Sequence, residues 1–325
     1  MNKKFWLLGL SLMMLAAFAL TGCGGDKKPE AKPAGQAGPQ TIKLAHVVNE
    51  KDGFHIAALK FKELVEQRTQ GKVKVELFPN AQLGDERTLI EGMQIGTVHM
   101  GVITNGPVAN FLPEIAAFEM PFLFNSPAQA YKVLDGEVGQ KVLAKLDSIN
   151  LKGLAYAERG FRNLTNAKRP VKTPADMAGL KIRVMENPVY IDTFKTLGTN
   201  PVPMAWTEAL TALQQGTIDG QENPVNVIYS FKLNETQKYL SMTQHSYAPA
   251  LFLMSKKVFT GFDKETQDIL VKAAQEAAAH ERKWNGDQMA DMIKQLKEKG
   301  MQIVEPDTAA FQAAVKPVYD KYGPK

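Results

Sequence analysis

The chain has 325 residues, 44% hydrophobic and 22% charged, with a formal net charge of +5 and a pI near 9.0. That length is enough for two domains around a large core, and a mild basic excess without basic runs argues against nucleic acid as a partner. The single cysteine excludes an intrachain disulfide.

Two lysines and an apolar run from Phe5 to Leu20 open the chain. The run is too short to span a bilayer comfortably and reads as an export signal over 1–22. It ends in Leu20-Thr21-Gly22-Cys23, which resembles the bacterial lipobox, so Cys23 is expected to carry lipid as the first residue after cleavage. Loss of Lys3 and Lys4 with the signal lowers the formal charge from +5 to +3. Residues 24–40 contain Gly, Pro, Lys, Ala and Gln but no large apolar side chain. Such a stretch cannot bury enough surface to fold and is expected to act as a tether.

From Thr41 onward 285 residues follow (325 − 40). Thr41–His46 reads as a strand, and 53–70 carries Ile56, Leu59, Leu64 and Val65 at helical spacing before Gly71. Two segments then echo each other at an offset of 120 residues (214 − 94): L-I-E-G-M-Q-I-G-T-V-H-M-G at 89–101 and A-L-T-A-L-Q-Q-G-T-I-D-G at 209–220. Each predicts a helix of about nine residues stopped by a left-handed glycine, with a strand on either side, so the chain reads as two related α/β lobes. Thr173-Pro174, Asn187-Pro188 and Asn223-Pro224 each read as a helix start with proline in the first turn. A long helix is expected over 263–299 with a break near Asn285-Gly286, then a strand at 301–304 and a closing helix at 307–322.

The five histidines (46, 55, 99, 245 and 280) form no metal-ligand spacing. No nucleophile elbow, phosphate loop or dinucleotide fingerprint occurs, so neither catalysis nor a cofactor is expected. Asp219 and Glu222 lie in the tight stretch G-T-I-D-G-Q-E-N-P (216–224), where carboxylates cap N–H groups more often than they move protons. Asn223 is expected at the positive end of a helix, a place for an anion's oxygen. Arg183 lies in a strand, opposite its neighbours Ile182 and Val184 and just before a helix start, which puts a guanidinium near the crevice end of that strand. Its planar donors match a carboxylate. Arg162 lies in G-F-R-N-L-T-N, and Trp206 takes the place of Glu86 when the echoing segments are aligned through Gln94 and Gln214.

The chain resembles the DctP-type solute receptors of tripartite ATP-independent periplasmic (TRAP) transporters. The matching stretches are F-P-N-A-Q-L-G-D-E-R (78–87), E-M-P-F-L-F (119–124), G-F-R-N-L-T-N (160–166), P-V-K-T-P-A-D-M-A-G-L-K-I-R-V (170–184) and the run from Pro201 to Pro224. The resemblance implies a two-lobed, Venus-flytrap α/β fold with crossing hinge strands and a long helix spanning both lobes. Lobe I would hold 41–161 plus about 250–289, and lobe II 162–249 plus about 290–325. By the same resemblance Arg183 grips a ligand carboxylate, Arg162, Asn223 and Trp206 line the pocket, and His46, Glu86 and Thr104 fall at first-lobe positions that reach ligand. Thr104 stands where members that bind sialic acid tend to carry a carboxylate, which counts against that ligand. The expected protein is a monomeric, lipid-anchored extracytoplasmic receptor. It would deliver a small organic acid, a C4-dicarboxylate or a sugar acid, to an ion-gradient-driven permease. The competing readings are a receptor for an ATP-driven importer and an exported enzyme acting on a carboxylate.

Overall fold

The computed structural model describes residues 40–323. The export signal, Cys23 and the tether up to residue 39 lie outside the described residues.

Two units with the same plan supply six of the nine strands among the described residues. In the first, β1 (Gln40–Ala45), α1 (Gly53–Arg68), β2 (Val73–Phe78), α2 (Glu86–Ile95) and β3 (Met100–Thr104) place β1 between β2 and β3, all parallel. Four further segments follow: α3 (Asn105–Val108), a 3-10 turn over Pro113–Glu119, α4 (Pro127–Leu134) and α5 (Glu137–Lys145). The chain then runs through β4 (Leu151–Asn166) into the second unit. There β5 (Lys181–Val184), α6 (Pro188–Thr196), β6 (Asn200–Pro203), α7 (Trp206–Gln215) and β7 (Gly220–Asn223) again place the first strand between the other two. After α8 (Val225–Ser230), the strand β8 (Tyr239–Ser255) crosses back. The chain ends in α9 (Lys256–Thr260), α10 (Lys264–Glu298), β9 (Gln302–Val304), α11 (Thr308–Ala314) and α12 (Lys316–Tyr322).

One mixed sheet joins everything, in the order β2-β1-β3-β8-β4-β7-β5-β6, with β9 beside the start of β8. The long antiparallel pair β4 and β8 forms its middle, with register shifts at Gly153/Ala155, Glu158/Gly160 and Arg162/Leu164. Gly160, at φ +106°, takes a left-handed turn that a side-chain-bearing residue adopts only with strain. These are the crossing strands expected of a two-lobed receptor. The buried apolar side chains form two clusters: the larger surrounds β1, β3, α1 and α10 and takes in α7 and α8, and the smaller surrounds β5, α6, α11 and α12.

The echoing segments become α2 and α7, ten residues each, stopped by Gly96 (φ 85°) and Gly216 (φ 67°). Three other expectations fail for identifiable reasons. The 35-residue helix α10 runs through Asn285-Gly286 without a break. Glycine in a helix costs about 1 kcal/mol, but here Asn285 is buried, donates to Glu281 and accepts from Asn226 Nδ2 at 3.2 Å, holding the turn from both sides. The closing helix is split at Val315, because Pro317 has no N–H for the turn before it. Asn223 is not a helix cap: it ends β7, paired with Asn163, and Pro224 takes the cap position in extended backbone.

Candidate functional site

The ends of β5 and β6, the first turn of α7 and the first turn of α2 meet at one crevice. Its walls are Asp85, Glu86, Arg87, Pro107 and Asn110 from the first unit, and Arg183, Met185, Glu186, Met204, Ala205 and Trp206 from the second. Only about 20 Å³ of free space separates them, room for about one water molecule.

Arg183 lies on the same strand face as the exposed Lys181, but its end of β5 is covered by Met204 and Trp206, leaving it 4% exposed. Its Nε and Nη2 donate to the Met204 carbonyl at 3.0 and 2.7 Å, which fixes the plane of the guanidinium. The Trp206 ring lies 5.5 Å from its Cζ. Among the described residues no carboxylate lies within ion-pair distance of it. Burial pushes its pKa down to about 10, opposed by the more distant Glu222. A buried cation without a protein acid demands an anion.

Trp206 is 8% exposed, packs edge-on against Phe231 at 5.1 Å and has a buried Nε1–H without a protein acceptor. On the facing wall Glu86 opens α2, and its Oε1 accepts from the Thr104 N–H at 2.6 Å. Burial raises the Glu86 pKa, while Thr104, Arg159 and Arg183 hold it down. Thr104 ends β3 and is itself buried. The structure thus brings Arg183, Trp206, Glu86 and Thr104 together.

The other candidate residues lie elsewhere around the crossing strands. Arg162 is 1% exposed and ion-paired with Glu222 through Nε; its Nη2 donates to Glu222 Oε1 at 2.8 Å and to the Glu222 carbonyl at 2.6 Å. Glu222 also accepts from His245 Nε2 at 3.2 Å, and Thr243 Oγ1 meets His245 Nδ1 at 2.8 Å. Burial lowers the His245 pKa, so it serves as a neutral donor. Removing one member of so buried an ion pair costs about 3–5 kcal/mol. Asn223 donates from Nδ2 to Gln221 Oε1 at 2.6 Å. His46 is fully buried just beyond β1, with Nε2 3.1 Å from His55 Nδ1. Burial, then the His55 charge, push its pKa down to about 4, so it is neutral at pH 7.

Sequence reasoning missed several groups. Of the two carboxylates in 216–224, only Asp219 caps a backbone group, accepting from Lys181 N at 2.9 Å, while Glu222 pairs with Arg162 and His245. Glu119, 1% exposed, accepts from Asn187 Nδ2 at 2.8 Å and is pushed up to about pKa 8 by burial. Arg159 pairs with Asp52 at 2.6 Å and sits 4.2 Å over the Phe54 ring. Its signal was only a charged residue flanking the glycine of a bulge. Among the described residues no group of His, Cys, Asp and Glu could hold a metal, and no helix is long and apolar enough to cross a membrane.

This frame matches solved solute-binding proteins over nearly their whole length. A TRAP periplasmic solute-binding protein from Bordetella bronchispeptica, with density interpreted as pantoate, is 45% identical; 88% of this chain and 95% of that one are covered, with a TM-score of 0.86. One from Polaromonas bound to D-erythronate is 42% identical, with 88% and 95% covered and a TM-score of 0.87. The 2,3-diketo-L-gulonate-binding periplasmic protein of Escherichia coli is 41% identical over 85% of this chain and 84% of its own. The DctP family, bacterial extracellular solute-binding protein family 7, matches residues 44–325. The chain belongs to that family, and is therefore a receptor that captures a solute outside the cytoplasm rather than an enzyme.

Proposed function

We propose that this receptor captures a hydroxylated monocarboxylate, a sugar acid of the aldonate or uronate type, and passes it to a TRAP permease. The observation that carries the reading is Arg183, a buried guanidinium with no carboxylate within ion-pair distance among the described residues, facing Glu86 across one narrow crevice. Arg183 would take the carboxylate. The Glu86 carboxylate would accept hydrogen bonds from hydroxyls and repel a second carboxylate, which favours a sugar acid over a C4-dicarboxylate. The three similar proteins described above carry ligand names of the favoured kind: pantoate, D-erythronate and diketogulonate are each monocarboxylates with hydroxyl groups. Trp206 Nε1–H and Thr104 would complete the lining, with Arg162, Asn223 and His46 behind it.

The lobes would divide as 41–161 plus about 250–289 and 162–249 plus about 290–325, turning about β4 and β8. The walls as they stand leave room for about one water molecule, so they would part to admit a solute and close on it, since only a closed form lets one solute touch both walls. A lipid on Cys23 would hold the monomeric receptor at the membrane.

A thermal-shift panel of aldonates, uronates and C4-dicarboxylates tests the ligand class. A ligand at 100 times its dissociation constant adds about 2.7 kcal/mol of stability. Sugar acids should shift the melting temperature and succinate or malate should not; the reverse pattern refutes the assignment. Intact mass of membrane-extracted protein tests the anchor, and an unmodified Cys23 thiol refutes it.

A further inference from the structure

The turn that follows Arg183 is fastened to the opposite unit. Asn187, fully buried, caps α6 by accepting from Val189 N at 2.8 Å. The same side chain donates to the Gly106 carbonyl at 3.2 Å and to Glu119 Oε2 at 2.8 Å. Met185 packs so closely on Gly106 that a Cβ there would lie 2.8 Å from its thioether atoms. At the rim of the crevice Asn110, just beyond α3, donates from Nδ2 to the Glu186 carbonyl at 2.6 Å. Asn110 and Glu186 are both exposed, and both line the crevice that holds Arg183. Asn187 and Met185 are deep and also serve the fold. Asn110 is different: its amide makes one local bond, to the Pro107 carbonyl at 3.2 Å, and one bond across to the other unit.

We propose that Asn110 is a closure latch: its amide bond to the Glu186 carbonyl forms as the two walls come together and sets how long a captured acid is held. The inference rests on the reading of the crevice as the binding site. A bond present only in the closed form adds its free energy to the bound state alone and leaves the empty open form unaffected. It therefore acts on affinity, and mainly through release. One neutral hydrogen bond corresponds to about a fivefold change in dissociation constant. The backbone carbonyl as acceptor means that residue 186 can vary while the latch is kept.

The test compares the unmodified protein with Asn110→Ala, Asn110→Asp and Arg183→Ala, using the panel acid that gives the unmodified protein its largest shift. Calorimetry and stopped-flow tryptophan fluorescence should show Asn110→Ala weakening binding about fivefold through a faster off-rate. Its on-rate and its ligand-free melting temperature should be unchanged. Asn110→Asp, which faces the carbonyl with no donor, should weaken binding at least as much. A dissociation constant within twofold of the unmodified protein in both Asn110 variants overturns the latch. So does a ligand-free melting temperature that falls as far as the ligand-bound one, which would mark a bond present in every state. Arg183→Ala separates the two claims: if it binds normally, the site is misassigned and the latch falls with it. If it fails while both Asn110 variants bind normally, only the latch falls.

Discussion

The two βαβαβ units share a backbone plan and differ where they face each other. Their parallel pairings set Ala45 opposite Gly101 in the first and Arg183 opposite Gln221 in the second, so a methyl group stands in one unit where a guanidinium stands in the other. The second helix of each starts with a different kind of residue, Glu86 in α2 and Trp206 in α7. Glutamate suits the positive end of a helix, and Glu86 is further held by a backbone N–H. Trp206 instead turns its ring toward Arg183. A repeated frame thus yields walls of opposite character: an anion-seeking side on the second unit and an acceptor side on the first. The units share a geometry and differ in the chemistry of their facing walls.

The largest break in that asymmetry is Arg183→Ala. A carboxylate left unpaired in a buried site costs about 3–5 kcal/mol, so calorimetry should show affinity for sugar acids falling at least about a hundredfold. Tight binding by this variant would contradict the polarity assigned to the crevice.

A second test addresses the place where the units meet. The Glu119 pKa, raised from 4.5 to about 8, means that the folded protein keeps a proton which the unfolded chain releases. Stability contributed by that proton is full below about pH 4.5 and declines as pH rises toward 8. For one proton the decline cannot exceed about 1.4 kcal/mol per pH unit. Denaturant midpoints measured from pH 5 to 9 should fall with this sign, and Glu119→Gln should flatten the fall. An equal slope in both proteins would assign the proton elsewhere.

A gentler change sharpens the comparison from the first unit. Glu86→Gln keeps an acceptor but loses the charge, and should weaken a sugar acid about tenfold. It should also let C4-dicarboxylates bind better, since the repelling carboxylate is gone. Unchanged preference in a competition assay would show that Glu86 does not read the ligand.

Much of this frame was legible because local rules decided it. The glycines ending α2 and α7, the Asn187-Pro188 helix start and the alternation of strand and helix follow from backbone preferences over a few residues. Arg183 stood out because it follows Ile182 and precedes Val184 just ahead of a helix start. What escaped depended on distant partners. Nothing near Asn285-Gly286 in sequence reports that Asn226 will hold that turn of α10, and nothing near Glu222 reports Arg162, sixty residues away. Asn223 and Pro224 satisfied the composition of a cap, yet strand pairing with Asn163 claimed the asparagine first. Glu119 opens the stretch 119–124 that carries the family resemblance, but nothing beside it reports Asn187, and nothing beside Asn110 reports Glu186; those bonds form only where the units meet.

Only three tryptophans occur in the chain, at positions 6, 206 and 284. Trp6 lies in the expected export signal, and Trp284 sits partly exposed on α10, away from the crevice walls. Trp206 has its ring beside a guanidinium and its indole N–H unbonded, so the arrival of an anion changes both the field across the ring and the partner of its nitrogen. If the proposed site is right, the protein carries its own optical gauge of occupancy, readable without dye or label. That gauge would be seated on the wall assigned to the carboxylate, so its signal would report the charged end of the guest rather than its tail.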